Sequence, residues 1–287
     1  MRISEEQLTG VLQQIKACAD ATNTAVLHSQ STFYQPLFDI DDTLRPGGYF
    51  GVGGIDKRKI RGEFYPCALE VIRMFLEACP GLPIILLTAR PAGVASSIIP
   101  ALIGALLPLA KEQIFVFHGE LRTSLPAVLG AFYRHSVLYR AMAHTKFQRM
   151  LEYQEQLTKR HCWNVKLIFF GDSAQGDVLA AKKALRENAI HLAFIHRLTP
   201  AGLDLQLLKL IYFCDYKEVA ANLAEKLGFA NRCNKSDPDF EYAFSCRDIQ
   251  GQNGGYKQDD FGELAALLFL LLALSILMRR KSQRTRR

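Results

Sequence analysis

Hydrophobic and polar positions along the chain fall into two alternating patterns. Continuous apolar runs at 83–88, 114–117, 165–170 and 190–195 lack the strict alternation of a half-exposed strand, and they predict short strands buried on both faces. A further strand is predicted over 36–43, entered through Pro36-Leu37-Phe38. Between these runs the apolar residues recur with helical spacing, as in Leu69, Ile72, Met74, Phe75 and Leu76. Helices are expected over Glu5 to about Ala21, 66–79, 93–107, most of 124–160, 176–187 and 203–228. Strand and helix therefore alternate, which predicts an α/β protein with a mainly parallel, doubly wound sheet.

The organisation that follows is a helical segment over 1–35, a main domain over 36–230, a polar linker rich in Gly, Asn and Asp over 231–260, an apolar segment over 261–278 and a basic end over 279–287. Residues 45–65 are glycine-rich, with Tyr49, Phe50, Val52 and Ile55 interspersed and a basic run at Lys57-Arg58-Lys59, which reads as a flap. Between Thr43 and Thr88 lie 44 residues, and between Thr88 and Lys146 lie 57, so the predicted elements leave room for that flap but not for a large inserted cap.

Leu264 to Met278 is fifteen residues long with Ser275 as its one polar residue. At ~1.5 Å per residue, the fifteen to eighteen residues ending at Met278 reach about 22–27 Å, against a hydrocarbon core of about 27–30 Å. The run is apolar all round, unlike an amphipathic surface helix. The expectation is a C-terminal, single-pass membrane anchor, with a buried core helix or a dimer helix as the alternatives.

Charge changes the picture less than its total suggests. The net charge is +7, but Arg279, Arg280, Lys281, Arg284, Arg286 and Arg287 supply six of those charges. A body this close to neutral lacks the basic surface of a nucleic-acid reader, so no nucleic-acid partner is expected. Seven cysteines without any C-x-x-C pair argue against a disulfide framework or a zinc ribbon, and fit a reducing compartment. The polar start, Met1 to Gln7, has no apolar stretch of a secretory signal behind it. These points place the main domain in the cytosol, although the basic end would itself prefer the cytosolic side.

Candidate chemistry gathers at the predicted strand ends, where ligands bind in open α/β sheets. Asp39-Ile40-Asp41-Asp42-Thr43-Leu44 leaves crowded carboxylates at the end of the first strand, and such crowding persists most easily around a cation or a catalytic task. Thr88, followed by Ala89 and Arg90, offers a hydroxyl and backbone N–H groups suited to a phosphate oxygen. Lys146 is the preferred cation over Lys111, Lys159 and Lys166, because its helix, expected to begin near Lys146 itself, leads into the next buried strand. Gly171-Asp172-Ser173-Ala174-Gln175-Gly176-Asp177 forms a tight loop whose two carboxylates can converge on one ion, and an oxygen-only donor set favours Mg²⁺.

In this order and at these positions the four pieces resemble the haloacid dehalogenase superfamily of phosphohydrolases, over residues 36–197. The resemblance implies a Rossmann-like, nearly capless fold and a Mg²⁺-dependent phosphatase. It implies Asp39 as the nucleophile forming an aspartyl-phosphate and Asp41 as general acid and base, also lending Mg²⁺ its backbone carbonyl. Thr88 and Ala89 would bind phosphate, Lys146 would neutralise the nucleophile and the phosphoryl group, and Asp172 and Asp177 would complete the metal site. The D-I-D-D-T-L form, the G-D-S-x-Q-G-D loop and Ala193-Phe194-Ile195-His196-Arg197 are similar to lipin-type phosphatidate phosphatases, whose second motif is serine-rich where this chain has Leu87-Thr88-Ala89-Arg90. The expected substrate is a lipid or other membrane-proximal phosphoester. The alternatives are a small metabolite or phosphoprotein, or an inactive scaffold that keeps the fold for binding.

Overall fold

A computed structural model of the protein describes residues 8–17, 32–47, 56, 64–78, 81–91, 113–119, 135–160, 162, 164–173, 176–198 and 209–229. Six strands form one sheet: β1 (Phe33–Phe38), β2 (Ile84–Pro91), β3 (Ile114–Gly119), β4 (Val165–Asp172), β5 (Leu192–His196) and β6 (Leu210–Phe213). Every pairing is parallel, in the order β3-β2-β1-β4-β5-β6. The helices are α1 (8–17), α2 (Ala68–Ala78), α3 (His135–Lys159), α4 (Asp177–Arg186) and α5 (Tyr216–Leu227).

Two apolar clusters line the two faces of the sheet. On one face, residues of α1, α3 and α4 pack on Leu37, Ile85, Leu167, Phe169 and Ile195. On the other, α2 and α5 pack on Phe38, Leu86, Ile168, Phe170 and Phe194. This is double winding, and it explains the continuous apolar runs, since a strand covered on both sides has no face to give to water. Phe38, Phe170 and Phe194 stack side by side across three strands, with centroids 4.3 and 5.2 Å apart. They form an incompressible floor below the strand ends.

Chain order in the sheet reverses direction at β1, with β2 on one side and β4 on the other. Such a switch point opens a crevice beyond the carboxyl ends of the two strands. A buried polar strut fixes the adjoining helix: Tyr153 of α3 donates to Gln35 Oε1 of β1 at 2.8 Å, and Gln35 Nε2 donates to the Pro83 carbonyl at 3.1 Å. Tyr153 lies two helical turns beyond Lys146 on the same face of α3, so the strut sets where that lysine points.

Several expectations need correction. β1 begins at Phe33 and stops at Phe38, so the acidic motif lies in a loop rather than in a strand reaching residue 43. The cause is local: Asp42 takes a left-handed φ of 60° and closes a turn that no strand can continue through. Helix α3 starts at His135, which places Lys146 in the middle of a 25-residue helix rather than at its start. The helix expected over 203–228 is instead strand β6 followed by α5. Leu210 to Phe213 becomes a strand because β5 offers it a partner, and Asp215 then caps α5 by accepting from the N–H groups of Lys217 and Glu218.

Cys214 is disulfide-bonded, against the expectation of free thiols, to a partner outside the described residues, whereas Cys67 and Cys162 are free. No helix among the described residues is long and apolar enough to cross a membrane. The expected helix over 93–107, most of the 45–65 flap, the linker, the 261–278 segment and the basic end lie outside the described residues.

Candidate active site at the switch point

Asp39 directly follows β1, and Asp172 is the last residue of β4, so adjacent strands on either side of the crevice each deliver one carboxylate. Asp177 opens α4 five residues later. The chain doubles back between them: the Asp172 N–H donates to Asp177 Oδ2 at 3.3 Å. One oxygen from each of Asp39, Asp172 and Asp177 lies within 4.8 Å of the other two, and all three residues are buried. Lys146, 1% exposed, enters from α3 and places Nζ 2.7 Å from Asp39 Oδ1 and 2.5 Å from Asp177 Oδ1.

Glycine makes this approach possible. A Cβ on Gly171 would lie 2.6 Å from Asp177 Oδ2 and 2.7 Å from the Phe169 ring, and neither can retreat from a packed core. Gly176 has φ of 90°, and a Cβ there would run into the Tyr139 carbonyl of α3. Gly171→Ala is therefore expected to displace the Asp177 carboxylate and to destabilise the protein by about 1–3 kcal/mol. Thermal unfolding with and without Mg²⁺ checks this, and an unchanged melting temperature with intact metal stabilisation would contradict it.

Electrostatics follow from burial. Burial pushes the Asp39 carboxyl up to about 8, because Asp177 and Asp41 add to it while Lys146 opposes it without prevailing. Asp172 is likewise driven well above the usual carboxylate range by burial and then by Asp177. For Lys146 burial works against the charge, but Asp177 and Asp39 outweigh it and keep the ammonium protonated. Burial and mutual repulsion favour the protonated forms of Asp39 and Asp172 in the metal-free protein, and a bound cation would favour their ionised forms instead. Asp39, Asp172 and Asp177 together offer an all-oxygen donor set that could hold a metal ion.

A pH dependence follows. Asp39 ordinarily titrates at 3.8, whereas in the folded, metal-free protein it keeps its proton to about 8. Between those values the folded state binds more protons than the unfolded one, so stability falls as pH rises. Melting temperature measured in EDTA should decline from about pH 5 to about pH 8, and Mg²⁺ should remove most of the decline. A flat profile in EDTA would show that these carboxylates are already ionised.

The other expected residues take distinct places. Asp41 is buried in the loop after β1, where its backbone pairs with that of Arg45 in an isolated β-bridge, and its carboxylate is not part of the three-oxygen set. Thr88 is buried in β2, two residues beyond the Leu86 that pairs with Phe38, and it lies within the strand rather than at its end. β2 runs on to Pro91 with a register shift after Leu87. Ala89 lies on that stretch, and its side-chain surroundings are outside the description. Among the competing lysines, Lys159 is 65% exposed and pairs only loosely with Glu155, while Lys166 is also exposed and Lys111 lies outside the described residues.

Further residues reach the site in roles that the sequence pattern did not assign. Thr43 Oγ1 donates to Asp39 Oδ2 at 3.4 Å. The Tyr139 hydroxyl lies in the field of Asp172 and Asp42, which add to burial in raising its pKa. His196, opposite Asp172 in the β4–β5 ladder, and Tyr216 at the start of α5 reach into the loop after β1. A histidine ending a buried apolar run was the visible signal for His196. Nothing in the pattern marked Tyr216. No protein-family model, curated protein or solved structure matches the chain. The fold and site define the class: a doubly wound α/β protein with a buried carboxylate–lysine centre at its switch point.

Proposed function

We propose that the protein is a Mg²⁺-dependent phosphatase of haloacid dehalogenase type that works through an aspartyl-phosphate on Asp39. The observation that carries this reading is the placement of Lys146 between Asp39 and Asp177 at the switch point, with Asp172 beside them. The resemblance of the four sequence pieces to that superfamily supports it further. Asp39, Asp172 and Asp177 would hold the ion, with the Asp41 carbonyl as a further donor. When bound, Mg²⁺ would supply the positive charge that lets a phosphate dianion approach this acidic pocket.

The chain's own groups perform the rest. Asp39 presents a carboxylate oxygen for in-line attack on phosphorus, and the leaving oxygen departs on the opposite side. Lys146 holds Asp39 in place and offsets the charge on the transferring group. Asp41 delivers a proton to the leaving oxygen, then takes one from the water that hydrolyses the acyl phosphate. Thr88 and the Ala89 N–H bind phosphate oxygens. The floor of Phe38, Phe170 and Phe194 keeps bulk water from below.

We place the substrate at a membrane, as a lipid phosphate or another membrane-proximal phosphoester, because the chain carries the uncharged apolar run Leu264 to Met278, which would reach across a membrane only with its flanking residues snorkelling. The test is phosphate release by the full chain in detergent, from an aryl phosphate and from mixed micelles carrying phosphatidate, with Mg²⁺ or EDTA. Release that needs Mg²⁺ and favours the micelles is expected. Release from neither would remove the phosphatase reading for these substrate classes, and equal release from both would remove the lipid preference.

A further inference from the structure

The loop from Asp39 to Gly47 carries both catalytic carboxylates of the proposed mechanism, yet it belongs to no strand or helix. Within it, Leu44 N–H and Arg45 N–H donate to the Ile40 carbonyl at 3.0 and 3.3 Å, Asp42 N–H to the Arg45 carbonyl at 2.6 Å, and Gly47 N–H to the Asp42 carboxylate at 2.7 Å. Asp42 sits in the left-handed region at φ 60°. A non-glycine residue holds such a conformation only where its surroundings over-determine it, and such places cluster at functional sites.

Those surroundings come from β5 and α5 on one side and from Asp56 and Tyr65 on the other. Asp42 and Thr43 are fully buried, so water cannot serve their carbonyls. His196 Nδ1 lies 2.8 Å from the Asp42 carbonyl, and the Tyr216 hydroxyl donates to the Thr43 carbonyl at 2.7 Å. A carbonyl only accepts, so Nδ1 carries the proton. The imidazole is wedged between the Phe213 ring, stacked at 5.2 Å, and the edge of Tyr65 at 4.5 Å. Tyr65 in turn donates to Asp56 at 2.7 Å, and the Asp56 N–H donates to the Asp42 carboxylate at 3.2 Å. Asp42 is thereby gripped at its carbonyl and at its side chain by one closed circuit of four residues.

We infer that His196 and Tyr216 are positioning residues that lock the peptide planes following Asp42 and Thr43 and thereby fix Asp39 and Asp41 relative to Asp172. His196 is suited to this because it touches both sides of the crevice. Its backbone pairs with Asp172 in the β4–β5 ladder and accepts from the Ser173 N–H at 3.0 Å, while its ring holds the Asp42 carbonyl. Tyr216 adds the second hold from the first turn of α5, one residue after the capping Asp215. Small errors in the placement of reacting groups are expensive in rate, so the consequence falls on turnover rather than on substrate affinity. That catalytic consequence rests on the phosphatase reading, whereas the locking of the loop does not.

The test compares His196→Phe, which keeps the aromatic wedge and deletes the donor, with His196→Asn, whose amide nitrogen stands where Nδ1 stood, and with Tyr216→Phe. In the full chain, His196→Phe should lower kcat by about 10–100-fold with little change in KM. His196→Asn should recover most of that loss, and Tyr216→Phe should act in the same direction as His196→Phe. Hydrogen exchange of the amides over 42–47 should quicken in both phenylalanine variants and return to normal in His196→Asn. Unchanged kcat and unchanged exchange in His196→Phe would overturn the inference, as would equal losses in the asparagine and phenylalanine variants. Were the wild type inactive on every phosphoester, the phosphatase reading would fail and exchange alone would decide the lock. Were His196→Phe unable to fold, Tyr216→Phe, which loses one hydroxyl, would carry the same two readouts.

Discussion

Asp39→Asn is expected to abolish Mg²⁺-dependent phosphate release, by about 10³-fold or more. The substitution keeps the shape of the side chain and its contact with Thr43, so loss of the fold is not the reason. What disappears is the oxygen proposed as nucleophile, and no neighbouring carboxylate replaces it: Asp177 is tied to Lys146, and Asp172 is pinned at the end of β4. The same variant should behave differently in stability. Burial already pushes the Asp39 carboxyl up to about 8, so ionising it strains the metal-free protein. An amide removes that ionisation, and the decline in melting temperature between about pH 5 and about pH 8 should shrink. Parallel assays of phosphate release and unfolding in EDTA check both halves. A variant with wild-type turnover would end the nucleophile assignment.

Lys146→Met should be nearly as damaging to turnover and far worse for the fold. Methionine matches the length and leaves Asp39 and Asp177 without their shared cation, both fully enclosed. Removing one partner of a buried ion pair costs about 3–5 kcal/mol, because the other charge remains desolvated. For a domain of this size that lowers the melting temperature by about 10 °C. Activity should fall by about 10²–10³-fold, the usual consequence of losing one positive group that faces developing charge. Mg²⁺ should restore part of the stability, since it neutralises the same carboxylates, but not the activity. Lys146→Arg is not a rescue, because a planar guanidinium cannot place one point charge between two oxygens. A Lys146→Met protein that melts like wild type would show that the pair contributes nothing.

The strands were legible wherever both faces are covered. Pro83 to Thr88 and Val165 to Phe170 are apolar because α3 and α4 press on one side while α2 and α5 press on the other, and that leaves a signature in composition alone. β6 was not legible. Leu210 to Phe213 carries apolar residues that fit a helix as well as a strand, and only the open edge of β5 decided between them. The start of α3 was missed for a related reason: nothing in the pattern between His135 and Lys146 announces a boundary. The disulfide at Cys214 was hidden because spacing does not reveal which thiols meet.

The acidic pieces at Asp39, Asp172 and Asp177 could be read because each sits at a strand or helix end, where chain chemistry and local turn signals coincide. The sequence by itself determined the α/β class, the strand-end position of Asp39 and Asp172, and the glycines that the loop between Asp172 and Asp177 requires. Tertiary structure alone decided which lysine enters the site, since α3, aligned through Tyr153 and Gln35, carries Lys146 inward and leaves Lys159 in solvent. It also decided that His196 and Tyr216 hold the loop after β1, 154 and 173 residues away in the chain. Periodicity reports only what a residue's own element needs. Contacts at that separation are set by how the sheet is wound, and no local pattern encodes them.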